Sequence, residues 1–155
     1  GFEVDLEGRL CQNWYGFANY SYQQSEKKGD VLDASSALSD ELTELPENKV
    51  NWGVAYRRED GMEARLTFRW VDDRQVPYLN DTDNPDGTPL GTPVTLEDID
   101  DFITVDLLLR YPVWKRGFEG FLTASVENLF DEAYEEELGF PQPGQSFGIG
   151  VEVRF

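Results

Sequence analysis

The 155-residue chain has no histidine and a single cysteine, and no run of about 18 apolar residues occurs in it. Without histidine, a nucleophilic triad lacks its usual base. Cys11 cannot form an internal disulfide, so it says little about redox compartment and reads as a small apolar filler. The missing apolar run excludes a transmembrane helix but not a membrane β-strand, whose signal is alternation over about 10 residues. Bases are scarce as well: 13 against 31 acids, a net charge of -18. That balance disfavours nucleic acid or an anionic membrane surface as a partner attracted by charge alone. Hydrophobic residues make up only 39% of the chain while aromatic residues reach 14%, so the apolar material is concentrated in large rings. The length suits one domain. The chain starts at Gly1 with no initiator Met, charged n-region or apolar h-region, and the expectation is that an N-terminal part precedes it.

Two-residue alternation is what the sequence does contain. In the last segment Phe147, Ile149, Val151, Val153 and Phe155 alternate with Ser146, Gly148, Gly150, Glu152 and Arg154. Val50, Trp52, Val54 and Tyr56 alternate with Asn51, Gly53, Ala55 and Arg57, and Ala64, Leu66, Phe68 and Trp70 with Glu63, Arg65, Thr67 and Arg69. Ile103, Val105, Leu107, Leu109 and Tyr111 stand against Thr104, Asp106, Leu108 and Arg110; Leu122, Ala124 and Val126 stand against Thr123, Ser125 and Glu127. Phe2, Val4 and Leu6 against Glu3, Asp5 and Glu7, then Ala18, Tyr20 and Tyr22 against Asn19, Ser21 and Gln23, bring the total to seven amphipathic strands.

Their connections alternate between short and long. The short ones are Leu10 to Asn13, the hairpin signal Asp60-Gly61, and Lys115-Arg116-Gly117. The long ones are Ser25 to Lys49, Leu79 to Asp101 and Asp131 to Gln145; Leu38, Leu42 and Leu45 in the first have helical spacing. In an up-and-down sheet this order puts every short turn at one end and every long loop at the other, the asymmetry of outer-membrane barrels. Charge follows the same division. The three long connections hold nineteen of the 31 acids, opposed only by Lys27, Lys28 and Lys49, so nearly all the net charge sits at one rim.

A soluble sandwich also alternates, with its apolar face turned inward. Two features favour lipid on the apolar side. That face carries Tyr20, Tyr22, Trp52, Tyr56, Phe68 and Trp70, several near strand ends where membrane barrels place aromatic girdles. The polar face carries both signs and is expected to line a lumen, with Arg57, Glu63, Arg65, Arg69, Asp106, Arg110, Glu119, Glu127, Glu152 and Arg154 on it. Glu127 with Arg154 and Glu152 with Arg65 are its expected ion pairs. The expected fold is an all-β, antiparallel up-and-down transmembrane β-barrel fragment. Seven strands leave two open edges that lipid does not tolerate, so the expected context is the C-terminal part of a larger barrel. A soluble β-sandwich binding module with acidic loops is the alternative.

No catalytic, cofactor or metal site is expected. Gly144-Gln145-Ser146-Phe147-Gly148 fits the G-x-S-x-G spacing, but a nucleophile elbow is followed by a helix and here a strand follows. Asp81, Asp83 and Asp86 approach a calcium loop, yet Pro85 takes the fifth ligand position and Asp86 the position that requires glycine. Asp72-Asp73 and Asp100-Asp101 are adjacent pairs, which on a strand face opposite ways, and they read as strand terminators.

Asn128-Leu129-Phe130-Asp131, then Tyr134, Gly139-Phe140-Pro141-Gln142-Pro143-Gly144, Phe147 and terminal Phe155 occur in an order that resembles the C-terminal end of TonB-dependent outer-membrane transporters. Gly1-Phe2-Glu3-Val4, Leu45-Pro46 and the strand from Lys49 to Tyr56 look like late barrel strands of the same family. The resemblance spans essentially the whole chain, as roughly the last third of a barrel of about 22 strands. Gln145 departs from it, standing where the family often has Arg. The resemblance implies location in the Gram-negative outer membrane and uptake of a scarce nutrient such as a siderophore-type iron complex, cobalamin or an oligosaccharide. It also implies as partners the lipid, the rest of the barrel with its plug, the TonB complex acting through an N-terminal part, and the barrel-assembly machinery, which would read Phe155.

Overall fold

A computed structural model of the chain describes residues 1–25, 45–79, 94–115 and 117–155. Among these, every regular element is a strand: β1 (Phe2–Cys11), β2 (Trp14–Tyr22), β3 (Asn48–Arg57), β4 (Glu63–Val71), β5 (Arg74–Leu79), β6 (Val94–Ile99), β7 (Phe102–Lys115), β8 (Glu119–Glu127), β9 (Glu135–Glu137), β10 (Phe140–Pro141) and β11 (Ser146–Arg154). Seven of them form one sheet in the order β1-β2-β3-β4-β7-β8-β11, while β5-β6 and β9-β10 are separate two-stranded ladders. All pairings are antiparallel, and β1 and β11 are the two edges.

The seven alternating segments are thus the seven strands of the main sheet, with the connections differing in detail. β6 lies inside the segment expected as the second long loop, and β9-β10 inside the third. Lys49, expected at the end of the first loop, belongs to β3. Leu38, Leu42, Asp81, Asp83, Asp86 and Arg116 lie outside the described residues, and Leu45 is in no helix. The turn at Asp60-Gly61 is longer than a two-residue hairpin. Arg58 N–H donates to the Met62 carbonyl at 2.9 Å and Gly61 N–H to the Arg58 carbonyl at 3.0 Å. Gly61 has φ 89, the left-handed residue that a three-residue hairpin needs. Asp60 fixes this turn by accepting from Met62 N–H at 3.1 Å and from Arg58 Nε at 2.8 Å. Pro112, which has no N–H to give a ladder, sits where the β7-β8 register shifts.

Register sorts the side chains onto two faces of opposite character. Trp52 lies opposite Phe68, Val54 opposite Leu66, and Trp70 opposite Ile103 on one face. Arg57 lies opposite Glu63, Ala55 opposite Arg65, and Thr67 opposite Asp106 on the other. The apolar face is the open one: Phe147 is 73% exposed, Ile149 85% and Val151 73%, whereas the intervening Gly148, Gly150 and Glu152 are half-buried. In water this inverts the ordinary arrangement, in which burial of the apolar side drives folding. Aromatic rings border the exposed face. Phe2 packs edge-on against Tyr20 at 5.7 Å at the long-loop end, and Trp14 meets Tyr56 at 5.3 Å at the short-turn end. The span from Trp14 to Tyr22 is about 26 Å at the usual rise per strand residue, close to the apolar band of a membrane barrel. Trp52 and Phe68, stacked at 5.1 Å, stand midway along their strands rather than in either border.

Glycine on the polar face makes room for larger neighbours. A Cβ on Gly53 would lie 2.5 Å from the Leu66 carbonyl oxygen and 2.7 Å from Cε1 of Phe17, whose ring covers this site from β2. Gly53→Ala is therefore expected to cost about 1–3 kcal/mol in unfolding free energy, measured by urea titration of the reconstituted protein. Phe17→Ala should recover only part of that loss, because the Leu66 oxygen belongs to the backbone.

Candidate functional site

The polar face carries three side-chain clusters, two side by side at the short-turn end and one at the long-loop end. Nearest the turns, Arg110 Nε donates to Glu152 at 2.9 Å and its Nη1 to the Gly61 carbonyl at 2.8 Å. Its guanidinium lies 3.3 Å from the centroid of Phe121, and Arg154 holds the other oxygen of Glu152 at 2.5 Å. By register Arg110 stands level with Thr123 and Gly150, so it reaches Glu152 on a diagonal across β8; Gly150 carries no side chain, and a Cβ there would meet Thr123 Oγ1 at 2.7 Å. Beside it, level with Arg110, Glu63 lies between Arg65 at 2.7 Å and Arg57 at 3.5 Å, with Arg57 5.0 Å from the Tyr15 ring. Arg57, Arg65 and Tyr15 line a recess with Glu7, Phe17, Asn19 and Ala55. On edge strand β1, Glu3 and Asp5 share the Asn19 amide.

At the long-loop end, Arg69 pairs with Glu136 of β9 at 2.6 Å, and Arg74 donates to the Glu136 carbonyl. Phe102, 3% exposed, forms the floor, with the Tyr134 ring 4.3 Å away. Burial there, aided by Glu136, pushes the Tyr134 phenol above its ordinary pKa, so it stays protonated. Lys49 and Arg74 line the same pocket. At the base of the third connection, Asn128 has φ 49 and is 5% exposed. Its N–H donates to Asp106 at 2.9 Å, its amide donates to the Glu132 carbonyl at 2.8 Å, and its Oδ1 accepts from Glu132 N–H at 2.9 Å.

All nine charged positions Arg57, Glu63, Arg65, Arg69, Asp106, Arg110, Glu127, Glu152 and Arg154 share this face by register. Two anticipated pairs do not form. Glu152 is taken by Arg110 and Arg154 while Arg65 turns to Glu63 on its own strand. Glu127 and Arg154 sit at opposite ends of the β8-β11 ladder, and Glu127 accepts from Ser146 Oγ at 3.2 Å instead. That bond, together with the strand that follows, gives Ser146 a structural setting and no nucleophile elbow. Asp72 and Asp101 end strands, accepting from the Asn48 amide at 2.6 Å and the Trp70 indole at 3.1 Å.

The C-terminal motif is organised around the Asn128 turn. Asp131, with φ 56, accepts Gln145 N–H at 2.8 Å, and a side chain at Gly144 would collide with its carboxylate. Gln145 donates its side-chain amide to the Leu129 carbonyl at 2.7 Å, so the departure from arginine retains a donor at this position. Gly139 has φ 76 and its N–H binds Glu135, while Pro141 pairs with Glu135 across β9-β10. Phe130, Phe147 and Phe155 are exposed at 73%, 73% and 107%, and Pro143 is exposed too.

Lys49, Arg74, Glu136 and the rings of Tyr15, Phe17, Phe102 and Phe121 on this face were not anticipated. Trp14 to Phe17 puts large rings on both faces at once, which erases the alternation. Lys49, Arg74 and Glu136 lie in or beside segments that read as loops.

The sequence model of the TonB-dependent receptor-like β-barrel family matches residues 1–129. No curated protein sequence matches the chain. Among solved structures, the ferric-catecholate import receptor Fiu from Escherichia coli K12, in its closed form, superimposes with a TM-score of 0.71 at 21% identity, covering 99% of this chain and 20% of that one. The chain therefore spans about a fifth of that receptor's length. The seven-stranded sheet, its exposed apolar face and the family match over residues 1–129 agree: this chain belongs to the TonB-dependent receptor β-barrel family.

Proposed function

We propose that this chain forms late strands of an outer-membrane barrel that imports a scarce nutrient with energy from the TonB complex. The observation that carries this reading is the inverted sheet, an exposed aliphatic face bordered by aromatics and backed by paired charges on the shielded face. Lipid covers the first face, and the second lines the lumen beside the plug. Short turns then point to the periplasm and the acidic connections outward. Phe155, wholly exposed at the end of the last strand, suits recognition by the barrel-assembly machinery. A soluble sandwich needs a second sheet on the apolar face, and the described residues supply none.

Siderophore-type iron complexes lead the substrate classes, ahead of cobalamin and oligosaccharides, since the superimposed receptor imports a ferric catecholate. Uptake of labelled ferric catecholate, cobalamin and maltodextrin by cells with the intact receptor tests this, in strains with and without TonB. The ferric complex should accumulate only where TonB is present. Equal accumulation without TonB contradicts the mechanism.

A further inference from the structure

The pocket at the long-loop end is basic in a chain whose net charge is -18. Lys49, Arg69 and Arg74 line it together with one acid, Glu136. The carboxylate of Glu136 satisfies Arg69 alone, and Arg74 is left with the Glu136 backbone oxygen. Among the described residues, Arg74 Nη1 is buried with no hydrogen-bond partner and Lys49 makes no ion pair. A buried donor left unpaired is destabilising, so the pocket is short of acceptor oxygens. The Glu136–Arg69 pair is nevertheless reachable, its side chains 44% and 39% exposed. Phe102, buried beneath Arg69 with its ring centroid 5.3 Å from the guanidinium and against Tyr134, fixes that cation in place.

We propose that Lys49, Arg69 and Arg74 form an oxyanion subsite in which the Glu136 carboxylate is a built-in occupant, displaced by the paired oxygens of an incoming planar anion. Displacement removes the ion pair that holds the β9-β10 hairpin to the sheet wall, so occupancy of the subsite and release of the hairpin are coupled. A planar carboxylate or catecholate fits, because its paired oxygens can bridge two cations in the geometry that a guanidinium favours. A lipid phosphate does not fit: Lys49, Arg69 and Phe102 lie on the face opposite the exposed apolar one. This inference rests on reading the polar face as the lumen.

The test is salicylate binding to the purified intact receptor in detergent, by calorimetry, with native electrophoretic mobility as the folding control. Glu136→Gln should tighten binding about fivefold, because the competing charge is gone. Arg74→Gln should weaken it about tenfold or more through loss of a charge-assisted bond, and Lys49→Gln should weaken it in the same direction. A spin label at Gln142, near the hairpin, should gain mobility when salicylate binds. Binding unchanged or weakened in folded Glu136→Gln overturns the proposal, as does absence of binding in both wild type and that variant. Displacement of salicylate by lipid A overturns it too, assigning the site to lipid. No step requires TonB or energy: TonB-independent uptake beside tighter Glu136→Gln binding defeats only the transport reading, and the reverse combination defeats only the subsite.

Discussion

Arginine at Ile149 is expected to destabilise the membrane-inserted protein by about 2–4 kcal/mol, the cost of a cation at mid-depth on a lipid-facing strand. Ile149 is 85% exposed and makes room for a longer side chain without any clash. In a water-soluble sheet the same substitution would cost within about 0.5 kcal/mol, as exposed positions usually do. The two environments therefore differ by several-fold on one substitution. Thr67→Lys on the polar face, opposite Asp106, is the matched control and should change stability by less than about 0.5 kcal/mol. Urea titration of both variants in lipid vesicles gives the comparison. Equal, small effects would mean that the apolar face meets water or another protein surface.

Asn128→Ala is the second large effect, about 3–4 kcal/mol. Two side-chain hydrogen bonds to Glu132 contribute about 1 kcal/mol each, and alanine in the left-handed region adds about 1–2 kcal/mol. Loss of this turn loosens everything hung from it, including the Asp131 carboxylate that holds Gln145 and the entry into β11. Asn128→Gly should recover the backbone share but not the hydrogen bonds. Hydrogen exchange at Leu129 and Asp131, whose N–H groups donate to Val105 and Asn128, reports the local opening directly. Unchanged exchange in Asn128→Ala would show that the turn is held from elsewhere.

Strands such as β11 could be read from sequence because one face is uniformly apolar and the other polar or small, so period and orientation coincide. β2 was half hidden: Tyr15 and Phe17 point into the polar face, where Arg57 and Gly53 accommodate them, and no alternation rule anticipates rings on both sides. β6 and β9 were hidden by their acids, since Glu97, Asp98 and Glu135 to Glu137 read as solvated loop. Which residues share a face follows from periodicity alone. Which charges meet does not, because it depends on register across strands distant in sequence. Arg110 meets Glu152 two strands away on a diagonal, two residues along β11 from Gly150, the position with which register aligns it. The same dependence concealed the basic pocket, whose cations come from β3, β4 and β5 and whose acid comes from β9.

The most direct test is a site-directed spin-label scan of β11 in the intact receptor in lipid bilayers, comparing collisions with oxygen, which concentrates in lipid, and with a water-soluble nickel chelate. Labels at 147, 149, 151 and 153 should favour oxygen, and labels at 148, 150 and 152 should favour nickel, in a strict period of two. Nickel access at 149 and 151 equal to that at 150, or protection of 149 and 151 from both reagents, would contradict a lipid-facing apolar surface.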